Sequence, residues 1–339
     1  MSKTFKVCVI FFISTMFLVL ARILFGFLNI GENVGDWLFS FVVQCIGMGV
    51  IPLIMYKFWV KEDILTGFSI KFKLHPIVYI VSIALGICLH FLIVSTSVLW
   101  QNVLILIGFT PANGSSTIYS GPEVLILDII TTACMPAIFE ELTYRGLGAQ
   151  MLEKVKDQRV TLVLMAMLFG LGHQFILQTG YAFVAGLVLA YVMLKTHSVI
   201  PGMIIHFINN LMSVISSYSS QRNGWYAYVE DIVYDRIFST LGTVIVATAV
   251  FGLVVAGLLK VLSLYVKEEP REYKQEDGVF FYPNSSQYID EQLFGSSMRT
   301  GRPVEVRQGA KWYEYAFLYG AIAIMTLTTL FTYIWGMMR

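Results

Sequence analysis

The chain has 339 residues, of which 57% are hydrophobic and only 13% charged, and its mean hydropathy is +0.71. A soluble domain carries about 25% charged and roughly 45–50% apolar residues, so a water-soluble globule is excluded, as are a disordered chain and a small disulfide scaffold. The class that remains is an all-α polytopic membrane protein, and a net charge of +1 argues against nucleic acid as a partner.

Apolar runs of membrane-spanning length recur along the chain. Nine are expected to be helical: Phe5–Leu28, Trp37–Trp59, Ile77–Trp100, Val124–Phe139, Val160–Leu177, Tyr181–Leu194, Val199–Tyr218, Thr240–Val266 and Tyr315–Met338. The first follows Lys3 and Lys6 and ends on Phe25, Phe27 and Leu28 rather than on small residues. It is therefore read as a retained span and not as a cleavable leader. Ile64–Phe72, between the second and third, reads as a loop, with a short interfacial helix as the alternative. The fifth to seventh runs are short and closely spaced, so they tilt or begin inside the protein. Cys8, Cys45, Cys88 and Cys134 all lie in apolar stretches and read as buried free thiols.

Lys and Arg alternate between loops. Lys3 and Lys6 precede the first span, and Lys57, Lys61, Lys71 and Lys73 lie at or after the end of the second. Arg145, Lys154, Lys156 and Arg159 crowd the exit of the fourth, whereas Asn29–Asp36 and Gln101–Glu123 have neither residue. This pattern predicts a cytoplasmic N-terminus. Lys267–Lys311 holds 15 of the 45 charged residues and reads as a cytoplasmic loop broken by Pro270 and Pro283. The expected organisation is 1–123, N-terminal helices and loops; 124–218, a core of four helices; 219–266, an outer loop and the eighth span; 267–313, the polar loop; and 314–339, an appended final span.

Ionisable groups at membrane depth are costly and mark functional candidates. Arg22 is near enough to a helix end to snorkel. His90 and Asp128 are isolated, with structural hydrogen bonding and catalysis both open. The exit of the fourth run differs, reading Phe139-Glu140-Glu141-Leu142-Thr143-Tyr144-Arg145. Glu141 and Arg145 share a helix face at i, i+4, while Glu140 points about 100° away. A poorly solvated carboxylate gains basicity, as a general base requires; the plainer reading is that both acids cap the interface. His173 lies one turn after Phe169, and Asn210 one turn after His206. His206 and Asn210 on one stripe suit a developing oxyanion. Glu140, His173 and His206 approach a zinc site with open positions. Alternatively, both histidines merely bind helices together.

Glu-Glu-x-x-x-Arg, Phe-x-x-x-His and His-x-x-x-Asn, in this order on successive spans, resemble the three motifs of the CPBP family. This family comprises the type II CAAX prenyl endopeptidases and the bacteriocin-processing or immunity proteins, also called Abi. The resemblance covers 124–218 and implies an intramembrane endopeptidase in which Glu140, helped by His173, activates water. His206 and Asn210 then stabilise the oxyanion, and Glu141 and Arg145 hold the geometry. Metal-free, glutamate-driven hydrolysis with no cofactor is expected; zinc on Glu140, His173 and His206 is the alternative, although no His-Glu-x-x-His motif is present. Nor does the chain carry a Gly-x-Ser-Gly nucleophile or a Gly-x-Gly-Asp pair, and Ser115 and Ser116 fall in a loop. The expected partners are the lipid bilayer and a peptide or protein substrate near the cytoplasmic face of a cell membrane, bacterial on this reading. A non-catalytic immunity or peptide-binding scaffold is the competing function. A proton-relay transporter would need paired interrupted helices in two halves of the chain, which the sequence lacks.

Overall fold

The computed structural model describes residues 1–28, 32–111, 117–155, 157–237, 239–266, 273–274, 280–281 and 311–338. Its helices, in chain order, are α1 (Lys3–Phe27), α2 (Asn33–Val60), α3 (Ile64–Gly67), α4 (Pro76–Leu106), α5 (Pro122–Met151), α6 (Gln158–Gly172), α7 (Ile176–Thr196), α8 (Ile200–Gln221), α9 (Trp225–Ile237), α10 (Leu241–Leu264) and α11 (Trp312–Met337). All but α3, α6 and α9 are long and apolar enough to cross a membrane, which makes eight among the described residues. The described residues contain one strand pairing, Tyr273–Lys274 antiparallel to Phe280–Phe281. The chain is an all-α polytopic membrane protein. Most of the polar loop expected at 267–313, and Ser115 and Ser116, lie outside the described residues.

Side-chain contacts sort the helix ends. Lys3 pairs with Glu62, Lys6 donates to the Trp59 carbonyl, and Lys154 pairs with Glu314. The start of α1, the end of α2, the end of α5 and the start of α11 therefore share one end of the bundle. At the other end, Asn33 meets Ile118, Arg222 meets Tyr119, and the Thr110 amide donates to the Gly336 carbonyl. The lysine-rich loops gather at the first end.

Three elements differ from the sequence reading. Ile64–Gly67, at the start of the expected loop Ile64–Phe72, is a short helix capped by the Asp63 side chain. The fifth run does not extend to Leu177: α6 ends at Gly172, and Gln174 adopts a left-handed backbone (φ 51°) before α7 begins at Ile176. With 15 residues, α6 is about 22 Å long, shorter than the ~30 Å hydrocarbon core, so the α6–α7 turn lies inside the bundle. There the Trp100 indole donates to the Ile176 carbonyl, and Thr332 of α11 accepts from the Ile176 amide. Trp225–Ile237, expected to be loop, is helical.

Two prolines inside the spans shape the surroundings of the site. A proline has no N–H for the carbonyl four residues earlier, and in hydrocarbon that carbonyl must find another donor. Pro52 leaves Met48 in this position, and the Thr143 hydroxyl of α5 donates to it at 2.9 Å. Pro136 leaves Thr132, and Asn210 Nδ2 of α8 donates to it at 3.0 Å. Close to each proline the helix widens to π geometry, over Val42–Val50 in α2 and Ile129–Cys134 in α5. Met135 N–H consequently returns to the Ile130 carbonyl, and the Thr131 carbonyl accepts from Ser40 of α2 at 2.8 Å. Each freed carbonyl thus becomes an attachment point between helices.

A candidate active site between four helices

The site is built where α2, α5, α6 and α8 meet. A second π stretch of α5, Glu141–Leu147, carries most of the Glu-Glu-x-x-x-Arg motif and is buried throughout. Glu141 and Arg145 are both 0% exposed and pair at 2.9 Å through Glu141 Oε1 and an Arg145 Nη. The same carboxylate oxygen accepts from His206 Nδ1 at 3.0 Å. Gly202 of α8 lies close enough that a Cβ there would stand 2.8 Å from Glu141 Oε2. The guanidinium of Arg145 lies 4.1 Å from the centroid of the Phe169 ring, a cation–π contact that accommodates a buried cation with few hydrogen bonds.

Phe169 is the hub. Its ring packs edge-on against Tyr144, His173 and His206, with centroids 5.4, 4.9 and 5.7 Å away. One aromatic residue therefore sets the positions of Arg145 and both histidines. His173 caps α6, and its Nδ1 lies 2.8 Å from the Phe169 carbonyl. An N–H at Nδ1 donates to that carbonyl, which leaves the Nε2 lone pair free. His173 and His206 both pack on the Phe169 ring, which brings the two imidazoles to one side of the site.

Glu140 takes a different path from its neighbour. It is 8% exposed, and its Oε1 accepts from Gln44 Nε2 of α2 at 2.7 Å. Its Oε2 has no hydrogen-bond partner and lies 4.0 Å from His206 Nε2. That separation is beyond a direct hydrogen bond and of the order that one water bridges. The His206 ring thus stands between the two carboxylates, Nδ1 on Glu141 and Nε2 toward Glu140. Doubly protonated, its Nε2–H is a donor for an oxyanion; neutral, with its proton on Nδ1, its Nε2 is an acceptor for water.

Glu140, Glu141, Arg145, His173 and His206 are therefore brought together. Asn210 is at the edge: one Nδ2–H goes to the Thr132 carbonyl and its Oδ1 accepts from Asn209 at 2.9 Å, which leaves one N–H. Asp128 lies outside this group, accepting at 2.6 Å from Thr132 and at 2.5 Å from Tyr119. Burial, and then the Asp128 contact, push the Tyr119 phenol above its usual range, so it stays a donor. His90 packs on α8, with Nδ1 3.5 Å from Ser213 Oγ. Arg22, near the end of α1, donates to the Gln174 carbonyl at 3.2 Å, beside the α6–α7 turn. The four cysteines are free thiols.

Gln44 is a contact that the sequence did not reveal. An uncharged amide inside an apolar run carries no default functional weight, and its one signal is that a polar side chain at membrane depth needs a partner. For zinc the fit is poor. Among the described residues no group of three or more His, Cys, Asp or Glu side chains is arranged to hold a metal ion. Glu140, His173 and His206 are neighbours without being a ligand set.

Comparison with curated proteins gives no match, and neither does comparison with solved structures. A family model does match: residues 122–212 fit the type II CAAX prenyl endopeptidase Rce1-like family. This stretch runs from the start of α5 into α8 and includes every motif residue, while Gln44 lies outside it. Residues 122–212 are thus similar to the Rce1-like family, in agreement with the resemblance of their three motifs to those of the CPBP family.

Proposed function

We propose that the protein is an intramembrane endopeptidase that hydrolyses a peptide bond of a membrane-associated peptide or protein, with Glu140 as the general base. The observation that carries this reading is the asymmetry of Glu140. One oxygen is pinned by Gln44, and the other is buried, unpartnered and directed toward His206. Glu141, whose Oε2 also lacks a hydrogen-bond partner, differs in being fully buried and held in an ion pair with Arg145 through its other oxygen.

In this reading Glu140 Oε2 takes a proton as water oxygen attacks the scissile carbonyl carbon, and the carbonyl π electrons move onto oxygen. The doubly protonated His206 ring, through Nε2–H, and the remaining Asn210 N–H stabilise that oxyanion. Collapse breaks the C–N bond, and the leaving nitrogen takes the proton from Glu140. His173, through Nε2, supports the proton transfer. Glu141 and Arg145 act through His206, fixing which of its nitrogens faces the reaction. No step requires a metal. The lysine-rich end, where the N-terminus lies, is assigned to the cytoplasm by charge bias, and the Rce1-like match makes a prenylated C-terminal peptide the first substrate to try.

The test is cleavage of an internally quenched farnesylated CAAX peptide, and of a peptide library, by purified protein with and without chelator. Mass spectrometry identifies the products. Wild type is expected to cleave in both conditions. Glu140→Gln is expected to lose at least about 100-fold in kcat, the usual scale for a general base. Retained activity in Glu140→Gln removes Glu140 as the base, and loss of wild-type activity with chelator removes the metal-free reading.

A further inference from the structure

The hydrogen bond from Gln44 to Glu140 leaves two buried acceptors unsatisfied. Gln44 Oε1 and Glu140 Oε2 both lack a partner, and each residue is 8% exposed. They belong to two groups held 2.7 Å apart by the Gln44 N–H. Burying two orphaned oxygens costs several kcal/mol unless a donor reaches them. A small molecule with two O–H groups and lone pairs to spare matches that need.

Gln44 is held firmly enough to serve such a purpose. It sits within the π stretch of α2, where Ser40 and Met48, one turn before and after it, are both tied to α5 through Thr131 and Thr143. Gly49, on the same stretch, lies against the Phe139 ring; a Cβ there would stand 2.7 Å from it, so the glycine lets α2 and α5 approach closely. The amide therefore reaches Glu140 from a fixed backbone.

We propose that Gln44 is a catalytic residue that completes the water-binding site: its N–H holds Glu140 Oε1, and its Oε1, together with Glu140 Oε2, accepts the two O–H groups of the attacking water. Water held in this way donates both its protons to the protein and turns its lone pairs outward, toward the scissile carbonyl. Glu140 takes one proton as the C–O bond forms, and the second remains on the new carboxyl group, shared with Gln44. The site is thus divided between the Rce1-like segment and a helix outside it. This inference rests on Glu140 acting as the base.

The experiment replaces Gln44 with Leu and, matched in length to glutamine, with Met, in the full chain and with the farnesylated peptide probe. In both variants kcat is expected to fall about 100-fold while KM changes less than about twofold, because the substrate makes no ground-state contact with Gln44. Infrared spectroscopy supplies a readout that needs no turnover. An O–H stretching band that shifts on exchange into oxygen-18 water is expected in wild type and is lost in Gln44→Leu and in Glu140→Gln. Retention of kcat within about threefold, a change confined to KM, or persistence of that band in Gln44→Leu overturns the proposal. If Glu140→Gln is inactive while Gln44→Leu is active, this inference alone falls; if Glu140→Gln is active, the base assignment falls.

Discussion

Two adjacent carboxylates meet different neighbours here. Each leaves one buried oxygen without a partner, but Glu141 has no exposure and holds Arg145 and His206 through its other oxygen, whereas Glu140 accepts its hydrogen bond from the neutral amide of Gln44. Removing one partner of a buried ion pair leaves a bare charge, at a cost of about 3–5 kcal/mol. Arg145→Leu should therefore lower the melting temperature strongly, by scanning fluorimetry in detergent, or prevent recovery of folded protein. Glu141→Gln keeps a carbonyl oxygen that can accept from Arg145 and His206 but leaves the buried guanidinium without its counter-charge, so it too should lower the melting temperature. Among the molecules that stay folded, kcat is expected to fall about tenfold; unchanged kcat in the folded fraction would contradict the assignment of Glu141 as a positioning residue. At this scale much could be read from sequence: the i, i+4 relation of Glu141 and Arg145 and the divergence of Glu140 follow from helical spacing. Gln44 could not be read, because its partner lies 96 positions away and its residue type is common in helix packing.

Helices α2 and α5 are held to one another and to α8 by exceptions to regular helix geometry. Pro136 frees the Thr132 carbonyl, and Asn210 is anchored on it. Pro136→Ala restores an N–H at that position, so the Thr132 carbonyl can return to its own helix and release Asn210. The expected result is a kcat reduced about tenfold, with melting temperature unchanged or raised, since a helix-interior proline costs ~3 kcal/mol. Parallel losses of stability and activity would count against this account. A second element-scale prediction concerns α4 and α8. A Cβ at Gly86 would meet the Ile205 carbonyl at 2.9 Å and Ile208 Cβ at 2.6 Å. Gly86→Val should therefore force α8 outward, at about 1–3 kcal/mol, and displace His206 next to Ile205. Reduced melting temperature and reduced kcat together are the expected readout. The prolines are visible in the sequence; which carbonyls they free, and which side chains come to occupy them, depends on packing between segments distant in the chain. The same limit applies to α6, whose termination is set by a left-handed residue, Gln174, of a type that seldom adopts that conformation.

At the scale of the molecule, α11 is integrated although it follows the long polar stretch. It packs against α1, α6 and α7. Phe317 meets Phe5 and Phe12 edge-on at 5.5 and 5.4 Å, and Leu318, Ala321 and Met325 are buried. Glu314 pairs with Lys154 at one end of the bundle, while near the other end Thr332 satisfies the first amide of α7, two residues after Gln174. The helix thus supports the turn that carries His173, and its attachment depends on side-chain packing more than on the chain that leads to it. A protease site inserted between residues 282 and 310, cut after purification, should accordingly leave the fragment containing α11 bound through size-exclusion chromatography, with kcat unchanged. Gly320→Leu, which overfills the α1–α11 contact because even a Cβ there stands 3.1 Å from the Phe12 ring, is expected to release the cut fragment and lower activity. Thr332→Val, which removes the acceptor for the Ile176 amide, is expected to cost about 1 kcal/mol and to lower kcat without releasing α11. Dissociation of α11 from the cut wild type would show that the covalent link, and not the packing against α1, holds the last helix in place.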